Sequence, residues 1–282
     1  MQHQEDYFET DRGCRIYYQS WRSENEIKTK AIVMITHGIA EHGGRYLNVV
    51  NHLVPAGYIV YANDNQGHGK SEGQRGFVDR LRVFADDLYQ FNRIIREKEG
   101  NELPLVLLGH SMGSAVAVNY ASRYSETING LVLSGCGSKP GYGFNPVILL
   151  VLRLISRLLP RKGVTTDPQA DQLSHDPEVV KAYLDDPLVC VKQVTFRLAG
   201  ETIEGLLKAP KLAKMIKLPV LLQKGGKDSI VLEEKKLFEA LSSEDKMLKV
   251  YPELYHEVYN ELPEMRGKVL VDLQAWLDEH TK

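Results

Sequence analysis

Cysteine is scarce in this chain, with 3 in 282 residues, at Cys14, Cys136 and Cys190. They are too few and too scattered for a disulfide framework, and they lack the paired spacings of a structural zinc site. Their scarcity favours a reducing compartment, and a cytoplasmic location is expected. An excess of charge of one sign is also missing: 35 basic residues face 37 acidic ones, for a net charge of −2. Binding a phosphate backbone needs concentrated Lys and Arg, so no nucleic-acid partner is expected and small molecules remain as ligands. Long apolar runs are absent too. The most apolar stretch, from Val147 to Leu159, is interrupted by Arg153 and Arg157 and is too short for a hydrocarbon layer of about 30 Å. The N-terminal residues Met1 to Asp6 are polar and acidic, without the basic flank and apolar stretch of a secretory signal, so export by that route is not expected.

What is present is an alternation of short apolar runs with helical patterns. Apolar content is 43%, ordinary for a soluble core, and one globular body is the default for this length. Tyr7 to Thr10 and Cys14 to Trp21, joined through Gly13, read as a hairpin. Four nearly continuous apolar runs follow, at Ala31 to Thr36, Tyr58 to Ala62, Leu105 to Leu108 and Gly130 to Ser134, as strands buried on both faces require. Helical segments at Arg45 to Pro55, Val83 to Lys98 and Ser111 to Arg123 lie between them. The pattern predicts an α/β fold with a mostly parallel, doubly wound sheet. After Gly137 the rhythm breaks, leaving helix-like runs at Val147 to Leu159 and Glu178 to Leu184. Strand patterns resume at Leu218 to Leu222 and Met247 to Tyr251, and an amphipathic helix from Pro263 to His280 closes the chain. The expected organisation is therefore a core of 1–137 and 207–282 with a helical cap inserted at 138–206.

Gly109-His110-Ser111-Met112-Gly113 fits the G-x-S-x-G nucleophile elbow, and it stands where that motif must, between a buried strand and a helix. Its glycines leave room for a tight turn that exposes the serine hydroxyl above the sheet. A serine hydroxyl is a poor nucleophile at neutral pH and needs a general base oriented by an acid. The order that goes with this elbow is Ser, then Asp or Glu, then His. Of the histidines after the later strands, His256 is the better base, because His280 ends the last helix beside the C-terminus. Asp228, just past the strand around Val220, is the best acid. Seen alone, Asp228 reads as a surface turn and His256 as a loop histidine; in order, each after a strand, they read as a triad. Oxyanion donors are expected from the backbone N–H groups of Met112 and of Ile39, the latter in the loop His37 to His42. His37, His42, His68 and His110 lack the spacing of a helix-borne metal site, and no metal is expected. Asp64 to Ser71 reads as a turn bracing these loops.

Beyond these elements, the blocks His37 to Tyr46, Asp64 to Ser71, Gly109 to Gly113, Tyr183 to Cys190 and Tyr255-His256 together resemble the monoacylglycerol lipase and lysophospholipase branch of the α/β-hydrolase fold. The resemblance spans most of the chain, the cap included. It implies an esterase acting on one acyl chain attached to a small polar alcohol such as glycerol, with no cofactor. It also implies that Glu41, Arg45 and Tyr183 form the polar end of the pocket, although Glu41 and Arg45 read equally well as a local ion pair. Ala40 stands where many relatives have glycine, so a slightly different set of the oxyanion loop is expected. By the same resemblance Cys190 lines the pocket, whereas on its own it reads as an inert buried thiol.

In the cap, Val147, Leu150, Val151, Leu154, Ile155 and Leu158 recur at helical spacing as an apolar face, with Arg153 and Arg157 pointing away. Such a face packs on the core, walls an acyl tunnel or lies on a lipid surface, and packing is the commonest of the three. Peripheral membrane contact through the cap is the further expectation. Fold and triad do not choose the substrate, so a general carboxylesterase, thioesterase or peptidase is the alternative enzyme. The reading from another class is a binding protein that kept the fold and lost the chemistry.

Overall fold

Strands at the middle of a parallel sheet are covered on both faces, so alternate residues feed two separate cores. A computed structural model, which describes residues 1–25, 27–141, 145–163 and 170–282, has this architecture. In chain order the elements are β1 (Gln2–Glu9), β2 (Arg15–Arg22), β3 (Ala31–Thr36), α1 (Leu47–Leu53), β4 (Tyr58–Asn63), α2 (Arg82–Glu99), β5 (Leu105–His110), α3 (Met112–Tyr124) and β6 (Gly130–Ser134). There follow β7 (Lys139–Pro140), α4 (Pro146–Leu158), α5 (Pro177–Asp185), α6 (Phe196–Ala213), β8 (Val220–Gly225), β9 (Val231–Leu232), α7 (Glu234–Ala240), β10 (Lys246–Tyr251) and α8 (Pro263–His280).

The main sheet has eight strands in the order β1-β2-β4-β3-β5-β6-β8-β10. β1 and β2 form the antiparallel hairpin, β2 joins β4 antiparallel, and every pairing from β4 to β10 is parallel. Chain order turns outward on either side of β3 and β5, and such a sheet binds ligands beyond the carboxyl ends of its central strands. Ile32 and Met34 of β3, with Leu105 and Leu107 of β5, point into a core shared with Phe84, Leu88 and Phe91 of α2 and Val116 and Tyr120 of α3. Val33 and Ile35, with Val106 and Leu108, point the other way, toward Val49 and Leu53 of α1 and Leu273 and Trp276 of α8.

The expected hairpin, six strand runs and helical segments are present, with most ends displaced by only a few residues. Two helices, α6 and α7, were not anticipated. α6 contributes Leu198, Leu206 and Ala209 to the same core as α3, and it runs through the boundary expected between 206 and 207. Residues 142–144 and 164–169 of the expected insertion lie outside the described residues. No helix among the described residues is long and apolar enough to cross a membrane.

Of the three roles open to the apolar face of α4, packing on the core is not the one most of it takes. Val147, Leu150, Val151, Leu154 and Leu158 are 69%, 57%, 47%, 50% and 78% exposed. The side of α4 that meets α6 carries Ser156, buried against Gly200, and Arg153, whose guanidinium pairs with Glu204 at 2.7 Å. Ser156 and Arg153 thus take part in the contact with α6, while most of the apolar stripe lies on the outside.

Candidate active site

β5 ends at His110, α3 begins at Met112, and Ser111 makes the whole turn between them with φ 53° and ψ −118°. Side chains other than glycine avoid positive φ, and an L-residue held there stores about 1–3 kcal/mol. The turn closes because its flanks can touch: a Cβ on Gly113 would stand 2.2 Å from the Thr36 carbonyl oxygen, and one on Gly109 would stand 2.4 Å from that of Gly113. The Ser111 N–H donates to the Ser134 carbonyl at 2.9 Å, tying the elbow to the end of β6. The serine thus sits at the carboxyl end of β5, in the middle of the sheet.

Two loops from distant sequence meet there. His256 Nδ1–H donates to Asp228 Oδ2 at 2.7 Å, which leaves Nε2 free to accept a proton. The loop after β8 and the loop after β10 reach each other because Gly225 has no side chain; a Cβ there would lie 1.9 Å from the Tyr255 carbonyl oxygen. Asp228 Oδ1 accepts from Ile230 N–H at 2.8 Å and Val231 N–H at 3.2 Å. Burial alone would raise the Asp228 carboxyl, but His256 and Lys224 facing it hold it well below the usual carboxylate range. The His256 ring lies 4.8 Å from that of His110 and against Gly135, the residue after Ser134. Ser111, Asp228 and His256 are therefore gathered at one place.

The loop after β3 stands beside the serine. A Cβ on Gly38 would be 3.2 Å from Ser111 Cβ, and Gly38 N–H donates to Glu41 Oε1 at 2.6 Å. Among the described residues, neither the Ile39 nor the Met112 N–H donates to a protein acceptor. Ala40 is left-handed, at φ 65°, and its carbonyl accepts the Cys190 N–H at 2.8 Å. Asp64 braces the loop from below by accepting from Gly43 and Lys70 N–H at 2.8 and 2.7 Å.

Glu41, Arg45 and Tyr183 come together. Arg45 pairs with Glu41 at 2.9 Å and with both oxygens of Glu257 at 2.6 and 2.9 Å, and its guanidinium lies 4.7 Å from the centre of the Tyr183 ring. Tyr46 donates to Glu41 at 2.9 Å. The local Glu41–Arg45 ion pair is present, inside a larger buried cluster that the sequence did not disclose. Glu257 is its unexpected member, and adjacency to His256 was the one available signal. Burial would raise the Glu41 carboxyl, but Arg45 and His110 hold it below its ordinary value. Cys190 is buried, and burial pushes its thiol up, away from a reactive thiolate.

The inserted segment is hydrogen-bonded to the same loops. Glu257 N–H donates to Leu173 O at 2.8 Å, and fully buried Glu261 accepts from Tyr255 N–H at 2.6 Å and His175 N–H at 2.8 Å. On the opposite side His42 Nε2 meets Asp186 Oδ2 at 2.8 Å. His175 and Glu261 were not singled out in the sequence, and Asp186 only as part of the block Tyr183 to Cys190; the His42–Asp186 and His175–Glu261 pairs join residues 144 and 86 positions apart.

Residues 27–263 match the family described as serine aminopeptidase, S33. The chain is 36% identical over 271 residues to a monoacylglycerol lipase of Mycolicibacterium smegmatis, covering 95% of this chain and 94% of that protein. It is 31% identical over 272 residues to the monoglyceride lipase of Rattus norvegicus, covering 94% and 87%. The fold matches that of a soluble variant of monoglyceride lipase from Saccharomyces cerevisiae, crystallised with a substrate analog, at TM-score 0.89 and 24% identity over 98% of this chain and 95% of that one. The chain belongs to the serine aminopeptidase, S33 family of α/β-hydrolases, in the branch that includes the monoacylglycerol lipases.

Buried histidines set the response of the fold to acid. Burial pushes His37 and His68 down to about 3 and His110 down to about 4, while a histidine in the unfolded chain titrates near 6.5. Between those values the unfolded state holds protons that the folded state does not, so stability falls as pH drops through this window. Each such proton is worth about 1.4 kcal/mol per pH unit. Asp87, raised to about 6 by burial, and Asp64, raised by burial as well, take up protons in the folded state and offset part of the loss. The urea midpoint is expected to fall from pH 7 to pH 5, with His110→Gln flattening the fall by about one proton; a midpoint constant across that range contradicts this account.

Proposed function

We propose that the protein hydrolyses monoacylglycerols or related lysolipids through an acyl-enzyme, with Ser111 as nucleophile, His256 as general base and Asp228 as its orienting acid. The hydrogen bond from His256 Nδ1 to Asp228 Oδ2, made beside a serine held at positive φ, carries this reading. Ser111 Oγ attacks the ester carbonyl while His256 Nε2 takes its proton. The charge that develops on the carbonyl oxygen is met by the N–H groups of Ile39 and Met112, where losing one donor typically costs about 10² to 10³ in rate. The bond to the alcohol breaks as His256 returns the proton to the leaving oxygen. Water, deprotonated by His256, then attacks the acyl-enzyme and releases fatty acid and Ser111.

The names of the relatives support glycerol as the leaving alcohol. So does the cluster of Glu41, Arg45 and Tyr183, proposed as the polar end of the pocket. The segment from 138 to the start of α6 is proposed as the cap, since it hydrogen-bonds to both the 38–42 loop and the 255–261 loop. The exposed apolar stripe of α4 supports peripheral contact with a lipid surface. The free cysteines Cys14, Cys136 and Cys190 fit a cytoplasmic site of action.

Hydrolysis of monoacylglycerol, lysophosphatidylcholine and short p-nitrophenyl esters tests both parts of the reading. Monoacylglycerol is expected to be preferred. Ser111→Ala and His256→Ala are each expected to lose about 10⁴-fold or more in kcat/KM, the double variant losing little beyond that. Turnover of short esters alone would remove the lipid assignment while leaving the nucleophile. For the cap, Leu150→Ser, Leu154→Ser and Leu158→Ser combined are expected to weaken vesicle binding at least tenfold in a flotation assay, because burying each leucine in lipid contributes about 1.5–3 kcal/mol. Hydrolysis of a soluble ester stays unchanged. Equal flotation of variant and wild type contradicts a docking role for α4.

A further inference from the structure

Lysine is rarely buried unless it is paired, yet Lys224 of β8 is 2% exposed. Its ammonium donates to two acceptors, Asp228 Oδ2 and the Val231 carbonyl. Asp228 Oδ2 is also the acceptor of His256 Nδ1–H, so a lysine and a histidine share one carboxylate oxygen. The other oxygen is occupied by two backbone N–H groups.

We propose that Lys224 is a positioning residue that acts through Asp228 on His256: it fixes the carboxylate against the imidazole and draws part of its charge, making the imidazolium harder to form. This rests on the triad reading above. In the resting site the Asp228 carboxylate is matched by the Lys224 ammonium at hydrogen-bond distance. When His256 takes the serine proton the buried group gains a net positive charge, which a lone carboxylate would have neutralised. Basicity is given up in exchange for a histidine that stays unprotonated, and ready to accept a proton, at lower pH. Opposite charges at hydrogen-bond distance in a buried site interact far more strongly than in water, so the effect reaches the imidazole through the shared carboxylate oxygen.

Other titratable groups surround this pair. His110 at the end of β5 faces the His256 ring, and Cys136, buried after β6, faces Lys224 and Asp228, with Glu234 of α7 behind it. Glu41 and Glu257 share the one guanidinium of Arg45 and act on His110. Lys224 is the cation in direct contact with Asp228.

The test is the pH dependence of kcat/KM for a soluble p-nitrophenyl ester in Lys224→Met. The acid limb is expected to move upward by about one pH unit, a tenfold loss at its foot, with the plateau kept within about tenfold. Lys224→Arg, which retains the charge, is expected to hold the limb near its wild-type position. In the background of Asp228→Asn, the Lys224→Met change is expected to move nothing further. A lowered plateau with an unmoved limb means that the lysine only holds the fold, and overturns the proposal. Should the variants fail to fold, nitrogen-15 spectra of the wild type decide: the Lys224 ammonium signal shifts with the midpoint of the acid limb, and a signal blind to that midpoint overturns it. Full activity in Ser111→Ala or His256→Ala would instead remove the triad reading, a failure visible apart from any movement of the limb.

Discussion

At Ser111 the backbone leaves a fully buried strand and enters a helix within one residue, at a φ that a serine does not choose by itself. The strain persists because everything around it is over-determined. β5 lies between β3 and β6, and the first turn of α3 rests on the end of β3, where Gly113 admits the Thr36 carbonyl. Ser134 fixes the serine N–H. A conformation costing about 1–3 kcal/mol can be held by a core of this size, and it sets the hydroxyl beyond the strand ends. The loops after β3, β8 and β10 all converge on that point.

Convergence of those loops is also what couples the inserted segment to the core. Cys190 donates to the carbonyl of Ala40, next to the proposed oxyanion donor Ile39, and Leu173 accepts from Glu257, next to His256. Glu261, with no exposed surface, binds both sides of the second contact. A displacement of this segment would therefore pull on the loops that carry the proposed donor and base.

The central strands were legible in the sequence because burial on both faces makes them nearly continuous apolar runs, as in Ala31–Thr36 and Gly130–Ser134. The triad candidates were legible because chemistry restricts the residue types and topology restricts their order. α6 contains Gly200, Gly205 and Pro210, residue types that weaken a helical pattern; in the fold the two glycines admit Ser156 and Leu81 at close range. The role of the stripe on α4 stayed open in the sequence because periodicity reports an apolar face without naming what covers it. Lys224 was invisible for the opposite reason: a lysine in a strand reads as solvent-facing, and only the fold brings Asp228 and Val231 to its ammonium. Glu257 and Glu261 fall in the same class, since Arg45 and His175, the partners that give them their place in the site, are 212 and 86 residues away.

The central claim is that Ser111 is an activated nucleophile. Treatment of the folded protein with a fluorophosphonate, followed by mass spectrometry of its peptides, tests it most directly. The account predicts one stoichiometric adduct on Ser111, formed in step with loss of ester hydrolysis and abolished in His256→Ala. Folded protein that keeps its activity with Ser111 unmodified, or that is inactivated by an adduct on another residue, would contradict it.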